Sequence, residues 1–210
     1  MTRFLIASGP TQEPLDPVRF LSNFSTGTMG RHLAQAARRQ KHRVTWVECP
    51  RDAQTAVELE RKLKALLPKN DVLIMAAAVC DARPARVSPT KLKKGALSAI
   101  RLVKNPDILA TLAKKKRKDQ VFIGFGLESE KILANGLEKL RRKGLELIVL
   151  QKVTKDKTPF GEKSIEAFIL KKNGNVRRFG AISKRKLADF LVREAEAGAR
   201  GKKRDGENPF

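Results

Sequence analysis

A run of small and hydroxylated residues, SNFSTGTMG, occupies residues 22–30, directly before a stretch with helical periodicity. Gly27 and Gly30 would let the backbone approach a ligand closely, and the N–H groups of a following helix would point towards that ligand. Ser25 and Thr26 add hydroxyl donors. The pattern predicts a phosphate-binding cradle. It is also typical of a tight turn that leads into a closely packed helix.

A second group of candidate residues lies in the segment AAAVCDA, which ends a continuous apolar run. The small side chains of Ala77 and Ala78 would leave room for a ligand at the end of a strand. Asp81 offers a carboxylate to a polar ligand or a metal ion, or serves as a turn residue. The side-chain amide of Asn23 could donate to a carbonyl group and accept from an amine, or it could stabilise a turn.

Lysines form a third group of candidates. Lys91, Lys93 and Lys94 lie in a predicted loop, and such a loop could close over a triphosphate and neutralise the charge of a departing pyrophosphate. Lys139 and Lys143 are four residues apart on a predicted helix and could both reach phosphate groups. The alternative in each case is an ordinary solvated charge.

The segment VKNPDIL predicts another helix start close to these residues. Asn105 suits a cap, Pro106 suits the first turn, and Asp107 favours the helix dipole. Phe125 ends a predicted strand in IGFG, where its ring could stack on a base or pack in the core.

The elements that must position these residues alternate between strand and helix patterns. This alternation predicts an α/β fold with a doubly wound, mostly parallel, modified Rossmann-like sheet that binds ligands at the carboxyl ends of its strands. The predicted strands are 3–8, 43–48, 71–79, 121–126 and 145–150, and the predicted helices are 28–40, 53–67, 106–117 and 130–143.

Three segments depart from the alternation. Residues 80–98 are long and loop-like, and they form a lysine-rich flap. Residues 165–179 predict a C-terminal β-hairpin that turns at Asn173-Gly174. A last helix is expected over 184–196. We therefore expect a single domain over residues 1–196 and a basic, disordered tail over 197–210.

Composition restricts the classes of protein. The net charge of +23 is typical of a protein that binds a polyanionic partner or that has a solvated basic surface. Aromatic residues are few, so a base-stacking nucleic-acid groove is not expected. No apolar run is long enough to cross a membrane. Two cysteines indicate a reducing, cytoplasmic location. Neither His32 nor His42 has the spacing of a base that would activate Cys80, which we interpret as a small buried side chain.

In order and together, these motifs resemble the phosphopantothenoylcysteine synthetase family, the ligases of coenzyme A biosynthesis. The resemblance covers residues 4 to about 192. It rests on SGPTQEPLDPVRFLSNFSTGTMG, AAAVCDARPARVSPTKLKK, VKNPDIL, IGFGLE and EKLRRKGLELI. The long insert between the first strand and the glycines is a feature of that family, in which this activity also forms the C-terminal half of a bifunctional bacterial flavoprotein.

The resemblance implies a nucleotide-binding ligase domain over residues 1–196. It would join 4′-phosphopantothenate to L-cysteine through an acyl-nucleotide, with CTP, or ATP in its place, and Mg²⁺. It also implies a homodimer and a separate decarboxylase chain. Asn23 and Lys91 would be catalytic. Substrate would contact Arg19 (from the neighbouring subunit), Asn23, Ala77, Ala78 and Asp81. The nucleotide would contact Gly9, Ser25, Gly27, Gly30, Asp81, Lys91, Pro106, Asp107, Ile108, Leu109, Phe125, Lys139 and Lys143.

Some positions depart from the family pattern, and two other functions stay open. Thr28 and Cys80 replace more usual residues, while Gln151 and Ser164 stand where asparagine is typical, which bears on the choice of nucleotide. Glu48 ends a predicted strand about twenty residues after the glycines, as in an NAD(P)-binding oxidoreductase. The charge also leaves a nucleic-acid-binding domain as an alternative. The sequence leaves the metal ligands open, with Asp81 as a candidate.

Overall fold

The computed structural model describes residues 1–155 and 158–207. Strands and helices alternate along these residues. In chain order they are β1 (Arg3–Pro10), β2 (Gln12–Asp16), β3 (Arg19–Ser22), α1 (Thr28–Arg39), β4 (Arg43–Glu48), α2 (Ala56–Leu66), β5 (Val72–Ala78), β6 (Ala82–Pro84), β7 (Leu102–Lys104), α3 (Ile108–Ala113), β8 (Val121–Glu128), α4 (Ile132–Arg142), β9 (Leu147–Lys152), β10 (Ile165–Lys171), β11 (Val176–Ile182) and α5 (Lys184–Glu207).

A seven-stranded sheet forms the centre, in the order β11-β10-β9-β8-β5-β1-β4. Five adjacent strands, β4, β1, β5, β8 and β9, pair in parallel, and the β10–β11 hairpin adds an antiparallel edge. The predicted mostly parallel sheet and C-terminal hairpin are therefore confirmed. From β1 the chain continues to β4 on one side of it, and from β4 it crosses to β5 on the other side of β1. The direction in which strands are added to the sheet therefore reverses between β1 and β5. Ligands of such sheets bind outside this switch point.

Helices cover both faces of the sheet, which makes the fold doubly wound. The side chains of β1 alternate between the two cores: Phe4 and Ile6 pack with α1 and α5, whereas Leu5 and Ala7 pack with α2, α3 and α4. A strand segment buried on both faces needs apolar residues at successive positions, which explains the unbroken apolar run FLIA at residues 4–7.

The insert before the glycines folds as a hairpin of β2 and β3, with Pro14 paired to Phe20. A proline is tolerated here because the sheet has two strands only and the pairing shifts next to it. The hairpin lies against the switch point, since the Thr11 N–H donates to the Ala78 carbonyl at 3.1 Å.

The lysine-rich flap has a two-stranded base. β6 and β7 pair in an antiparallel manner, and a short 3-10 turn at Lys94–Leu97 lies between them. The expectation of a loop over residues 80–98 holds between these strands but not at Ala82–Pro84.

The C-terminal tail differs from the expectation. Helix α5 continues past residue 196 to Glu207, so residues 197–207 are helical rather than disordered. The physical reason is that this part packs on the domain: Ala199 is buried, and Lys202 forms an ion pair with Glu146 at 2.6 Å. Residues 208–210 of the expected tail lie outside the described residues. Among residues 1–155 and 158–207, no helix is both long and apolar enough to cross a membrane.

Candidate active site

A cavity of about 470 Å³ opens at the carboxyl ends of β5 and β8, next to the switch point. The segments between the elements meet there because parallel strands end at one edge of the sheet. Its walls are formed by residues of the segments 23–29, 75–81, 106–109, 125–127 and 139–143, together with Gln151, Pro159, Phe160 and Lys184.

The glycine-rich segment forms one wall, and its glycines have different tasks. Gly27 has φ 70° at the N-cap of α1, a conformation that favours glycine, and no side chain caps this helix. The first N–H groups of α1 are therefore available to an anion at the cavity. Ser25 Oγ accepts from the Gly27 N–H at 3.3 Å and holds the turn.

Gly9 and Gly30 lie behind this wall rather than on the cavity. A Cβ atom on Gly30 would be 2.0 Å from Ser8 Cβ, and one on Gly9 would be 2.1 Å from the Cys49 carbonyl oxygen. Both residues bring backbones together: Gly30 seats α1 on β1, and Gly9, with φ +80°, lies behind Gly27.

Asn23 connects the insert to the end of β5. Its side-chain amide donates to the Ala78 carbonyl at 3.0 Å and to Cys80 Sγ at 3.7 Å. The two N–H groups are thus directed at the protein, and Oδ1 has no partner among the described residues. The same strand end is held by Thr11, whose hydroxyl accepts from the Cys80 N–H at 3.0 Å. The sequence motifs gave Thr11 no role.

Ala77, Ala78 and Asp81 line the opposite wall, as the sequence predicts. The Asp81 backbone carbonyl accepts from the Asn105 N–H at 2.8 Å. Its exposed carboxylate has no hydrogen bond or ion pair within the described part of the chain, so it remains available to a ligand. No group of three or more His, Cys, Asp and Glu side chains in residues 1–155 and 158–207 is arranged to enclose a metal ion.

Lys139 of α4 and Lys143, directly after this helix, line the cavity and are held by carboxylates. Lys139 pairs with Glu128, and Lys143 Nζ lies 3.2 Å from Asp107 Oδ1. Asp107 also caps α3 by accepting from the Ala110 N–H. Burial raises the pKa of Glu128, but its hydrogen bonds from Lys139 and Asn135 outweigh this and lower the pKa overall. Both lysines therefore reach the cavity already paired.

The other nucleotide-site candidates, Ser25, Pro106, Ile108, Leu109 and Phe125, also line the cavity. Gln151 lies there too, and it is buried. Ser164 is exposed and is not part of the wall.

Arg19 and Lys91 do not line the cavity. The Arg19 guanidinium donates to Asp16 Oδ2 at 2.5 Å and to the Leu92 carbonyl at 2.8 Å. Asp16 in turn accepts from the Leu92 N–H at 3.1 Å. These contacts attach the exposed lysine loop to the β2–β3 hairpin next to Lys91. Arg19 is thus within its own chain's hairpin and flap in this structure.

Two cysteines are buried, and burial raises the pKa of both thiols, that of Cys49 to about 12. Neither is a thiolate near neutral pH, which agrees with the interpretation of Cys80 as a small buried side chain.

Arg142 and Lys184 line the cavity although the sequence motifs assigned them no role. The one local signal for Lys184 is a cation at the first residue of a helix, where the dipole disfavours it.

Residues 1–198 match the family described as "DNA/pantothenate metabolism flavoprotein C-terminal domain". The chain belongs to this family. The matched residues include every strand of the central sheet, the insert before the glycines and all the segments that line the cavity. Glu48, the residue that suggested an NAD(P) enzyme, is outside the cavity and pairs with Arg51 at 2.9 Å.

Relatives in the family are longer than this chain. "Coenzyme A biosynthesis bifunctional protein CoaBC" of Escherichia coli is 39% identical over 165 residues, which are 71% of this chain and 41% of the relative. A "Cysteine/Cysteine sulfinic acid decarboxylase" of an unknown prokaryotic organism is 36% identical over 205 residues, which are 91% and 57% of the two chains. The chain spans about half the length of the curated relatives it matches.

Solved structures with the same fold match over nearly the whole chain. The C-terminal domain of CoaBC is 29% identical with a TM-score of 0.76, and the match covers 93% of this chain and 94% of that one. A Cab2 mutant in complex with phosphopantothenate-cysteine has a TM-score of 0.71 at 15% identity, over 99% and 89% of the two chains. At that identity the similarity shows the fold.

Proposed function

We propose that this chain is a phosphopantothenate–cysteine ligase of coenzyme A biosynthesis. The observation that carries the proposal is one cavity in which the uncapped start of α1 faces the Asn23–Ala78 contact at the end of β5. Free backbone N–H groups, which would suit an anion, and the Asn23 amide, which would suit an acyl group, line this one cavity in a chain that matches the C-terminal domain of CoaBC along its length. The Cab2 complex with phosphopantothenate-cysteine has the same fold.

The chemistry requires such a site. A carboxylate is a poor acyl donor, so its oxygen first attacks the α-phosphate of a nucleoside triphosphate, and pyrophosphate leaves. The amine of cysteine then attacks the acyl carbon of the acyl-nucleotide, loses a proton and releases the nucleoside monophosphate. No side chain forms a covalent bond in either step. The protein must place anionic reactants together, and cations and helix N-termini offset their repulsion.

The residues divide between the two steps. The nucleotide's phosphates would contact Ser25, Gly27 and the start of α1, with Gly9 and Gly30 supporting this wall from behind. Its base and ribose would contact the segment from Pro106 to Leu109, Phe125, Lys139 and Lys143, and Gln151 at the base would affect the choice between CTP and ATP. Lys91 would enter when the flap closes and would stabilise the departing pyrophosphate.

The acid would bind between Asn23, Ala77, Ala78 and Asp81. Since both N–H groups of Asn23 are directed at Ala78 and Cys80, its Oδ1 is the atom that would accept from the incoming amine of cysteine. We propose that Arg19 serves a neighbouring copy of the chain in a homodimer.

Mg²⁺ is proposed to enter as part of the nucleotide substrate. Magnesium sites commonly use substrate phosphates, waters and one or two carboxylates rather than a cage of protein ligands. The carboxylate of Asp81, which has no partner among the described residues, fits such a site. We further propose a cytoplasmic location and a decarboxylase that consumes the product.

One coupled assay tests the proposal. The protein is incubated with phosphopantothenate and CTP, or with ATP in a parallel reaction, and pyrophosphate release is measured before and after cysteine is added. We expect slow release without cysteine, and nucleoside monophosphate and phosphopantothenoylcysteine after its addition. Reactions without phosphopantothenate are the control. Absence of pyrophosphate release with every nucleoside triphosphate would overturn the proposal, and titration with NAD(H) would then test the oxidoreductase alternative.

A further inference from the structure

Lys184 is a lysine buried in an unfavourable place. It is 6% exposed, although lysine is rarely buried without a partner, and it lines the cavity. It is also the first residue of the 24-residue helix α5, where the helix dipole opposes a positive charge. Burial lowers the pKa of Lys184. The position therefore costs free energy in the protein without ligand.

The contacts of Lys184 do not compensate for this cost. Its ammonium group has three N–H donors. One donates to the Gly161 carbonyl at 2.5 Å, and residues 1–155 and 158–207 provide no acceptor for the other two. The nearby carboxylate of Glu162 is bound to His32 Nε2 at 2.9 Å instead and forms no ion pair with Lys184.

The loop that holds Lys184 is itself attached to the glycine-rich wall. The Gly161 N–H donates to Thr26 Oγ1 at 3.3 Å, next to Gly27 at the start of α1. Pro159 and Phe160 of this loop line the cavity. The ammonium group of Lys184 and the uncapped N–H groups of α1 therefore lie on walls of the same cavity, joined by one loop.

We propose that Lys184 is an anion-binding residue of this cavity, and that its two free N–H donors bind oxygens of a substrate phosphate group. A phosphate would supply the missing acceptors and the opposite charge, which a neutral ligand would not. Under the function proposed above, the phosphate belongs either to the polyphosphate of the nucleotide or to the phosphate monoester of phosphopantothenate. The identification of these two sources rests on that function, whereas anion binding does not.

Binding measurements distinguish the sources and do not require ligase activity. Inorganic triphosphate and phosphopantothenate are titrated separately by calorimetry into the wild type, Lys184→Gln and Lys186→Gln. Lys186 is the matched control, because it is an exposed lysine of the same helix turn and does not line the cavity. We expect Lys184→Gln to weaken one probe by about tenfold or more, the loss of a charge-assisted hydrogen bond, and Lys186→Gln to change neither.

Each outcome decides the proposal. Weaker triphosphate binding assigns Lys184 to the nucleotide, and weaker phosphopantothenate binding assigns it to the acid. If the wild type binds neither probe, or if Lys184→Gln binds both probes normally, the proposal is wrong. If Lys184→Gln binds both probes normally but has a lower melting temperature, Lys184 stabilises the Gly161 loop and does not bind an anion.

A second measurement uses the wild type alone and applies even if Lys184→Gln does not fold. One of the two probes should slow acetylation of Lys184, measured by peptide mass mapping, while the rate at Lys186 is unchanged. An unchanged rate at Lys184 with both probes would contradict the proposal. Failure of the ligase assay with a positive result here would overturn the proposed reaction but leave the anion site.

Discussion

The side-chain amide of Asn23 donates a hydrogen bond to the carbonyl oxygen of Ala78 at 3.0 Å. This contact joins the insert to the carboxyl end of β5 at the switch point of the sheet. The Ala78 carbonyl also accepts from the Thr11 N–H at 3.1 Å, so both sides of the insert hold the same strand end. Asn23 is thus fixed in position, and its Oδ1 has no partner among the described residues.

We expect Asn23→Asp to separate the two half-reactions. An ionised carboxylate cannot donate to the Ala78 carbonyl and would repel it, so the acyl site is displaced and gains negative charge. Under the proposed function, activation at the α-phosphate would take place at the start of α1 and should suffer less. Rapid quench and mass spectrometry should therefore show acyl-nucleotide accumulating while phosphopantothenoylcysteine fails to form.

Asn105→Asp is the matched control for this variant. Asn105 also donates its amide to a carbonyl of the same edge, that of Cys80 at 2.9 Å, but it does not line the cavity. It should lose stability without changing the ratio of the half-reactions. Equal loss of both half-reactions in Asn23→Asp would leave Asn23 a structural residue.

Lys91→Gln should slow pyrophosphate release even without cysteine. The lysine loop is attached at Leu92 by Arg19 and Asp16, so Lys91 directly precedes an anchored residue. Burial raises the pKa of Asp16, but its hydrogen bonds from Arg19, Val18 and Leu92 outweigh this and hold the pKa at about 2. The anchor stays charged at working pH. Lys93→Gln is the control, and normal release in Lys91→Gln would contradict the assignment.

Gly30→Ala tests whether Gly30 supports the fold rather than the ligand. The added Cβ would be 2.0 Å from Ser8 Cβ and would push α1 off β1. We expect a loss of about 1–3 kcal/mol of unfolding free energy, as in other overpacked cores. Gly95→Ala has no atom within 4 Å of its new Cβ and should be nearly neutral in a denaturant titration. Equal stability of the two variants would refute the packing role.

Much of the fold follows from the sequence, because buried parallel strands need continuous apolar runs. The run at 71–79 predicts β5 (Val72–Ala78) and thus where Ala77 and Asp81 lie. The insert is harder: Pro14 argues against a strand, and it is tolerated only because the hairpin has two strands. The sequence does not predict that Lys184 lines the cavity, because its position depends on how the hairpin before it and the Gly161 loop fold onto the domain.

Asp71→Asn should make the free energy of unfolding less dependent on pH in the acid range. Burial raises the pKa of this carboxyl, but hydrogen bonds from Arg3 outweigh it and give a pKa of about 2. A carboxyl with a lowered pKa stabilises the fold above its ordinary pKa, and this contribution is lost as the pH falls towards 2. We expect Asp71→Asn to lose about 2 kcal/mol at pH 7 and almost nothing near pH 2.

Urea titrations at several pH values measure this difference. Asp119→Asn is the control, because its ion pair with Arg117 is partly exposed and should contribute less than about 1 kcal/mol. A gap between the wild type and Asp71→Asn that stays constant with pH would show that Asp71 acts through packing instead.

Ending the chain after Glu196 should reduce stability and leave catalysis intact. The removed segment includes the buried Ala199. It also includes Lys202 and Lys203, which form ion pairs with Glu146 and Asp71 respectively. These carboxylates precede β9 and β5, so they lie at the amino ends of the strands, whereas the cavity lies at the carboxyl ends. We expect a loss on the order of 2 kcal/mol, or about 4–8 °C in melting temperature.

A chain that ends after Lys203 keeps these contacts and should melt close to the full chain. Turnover of both truncated forms is compared with the full chain well below their melting temperatures. An unchanged melting temperature after truncation at Glu196 would show that the end of α5 contributes nothing to stability. A fall in turnover of more than about tenfold, roughly 1.4 kcal/mol of barrier, would place this end of α5 in the catalytic machinery instead.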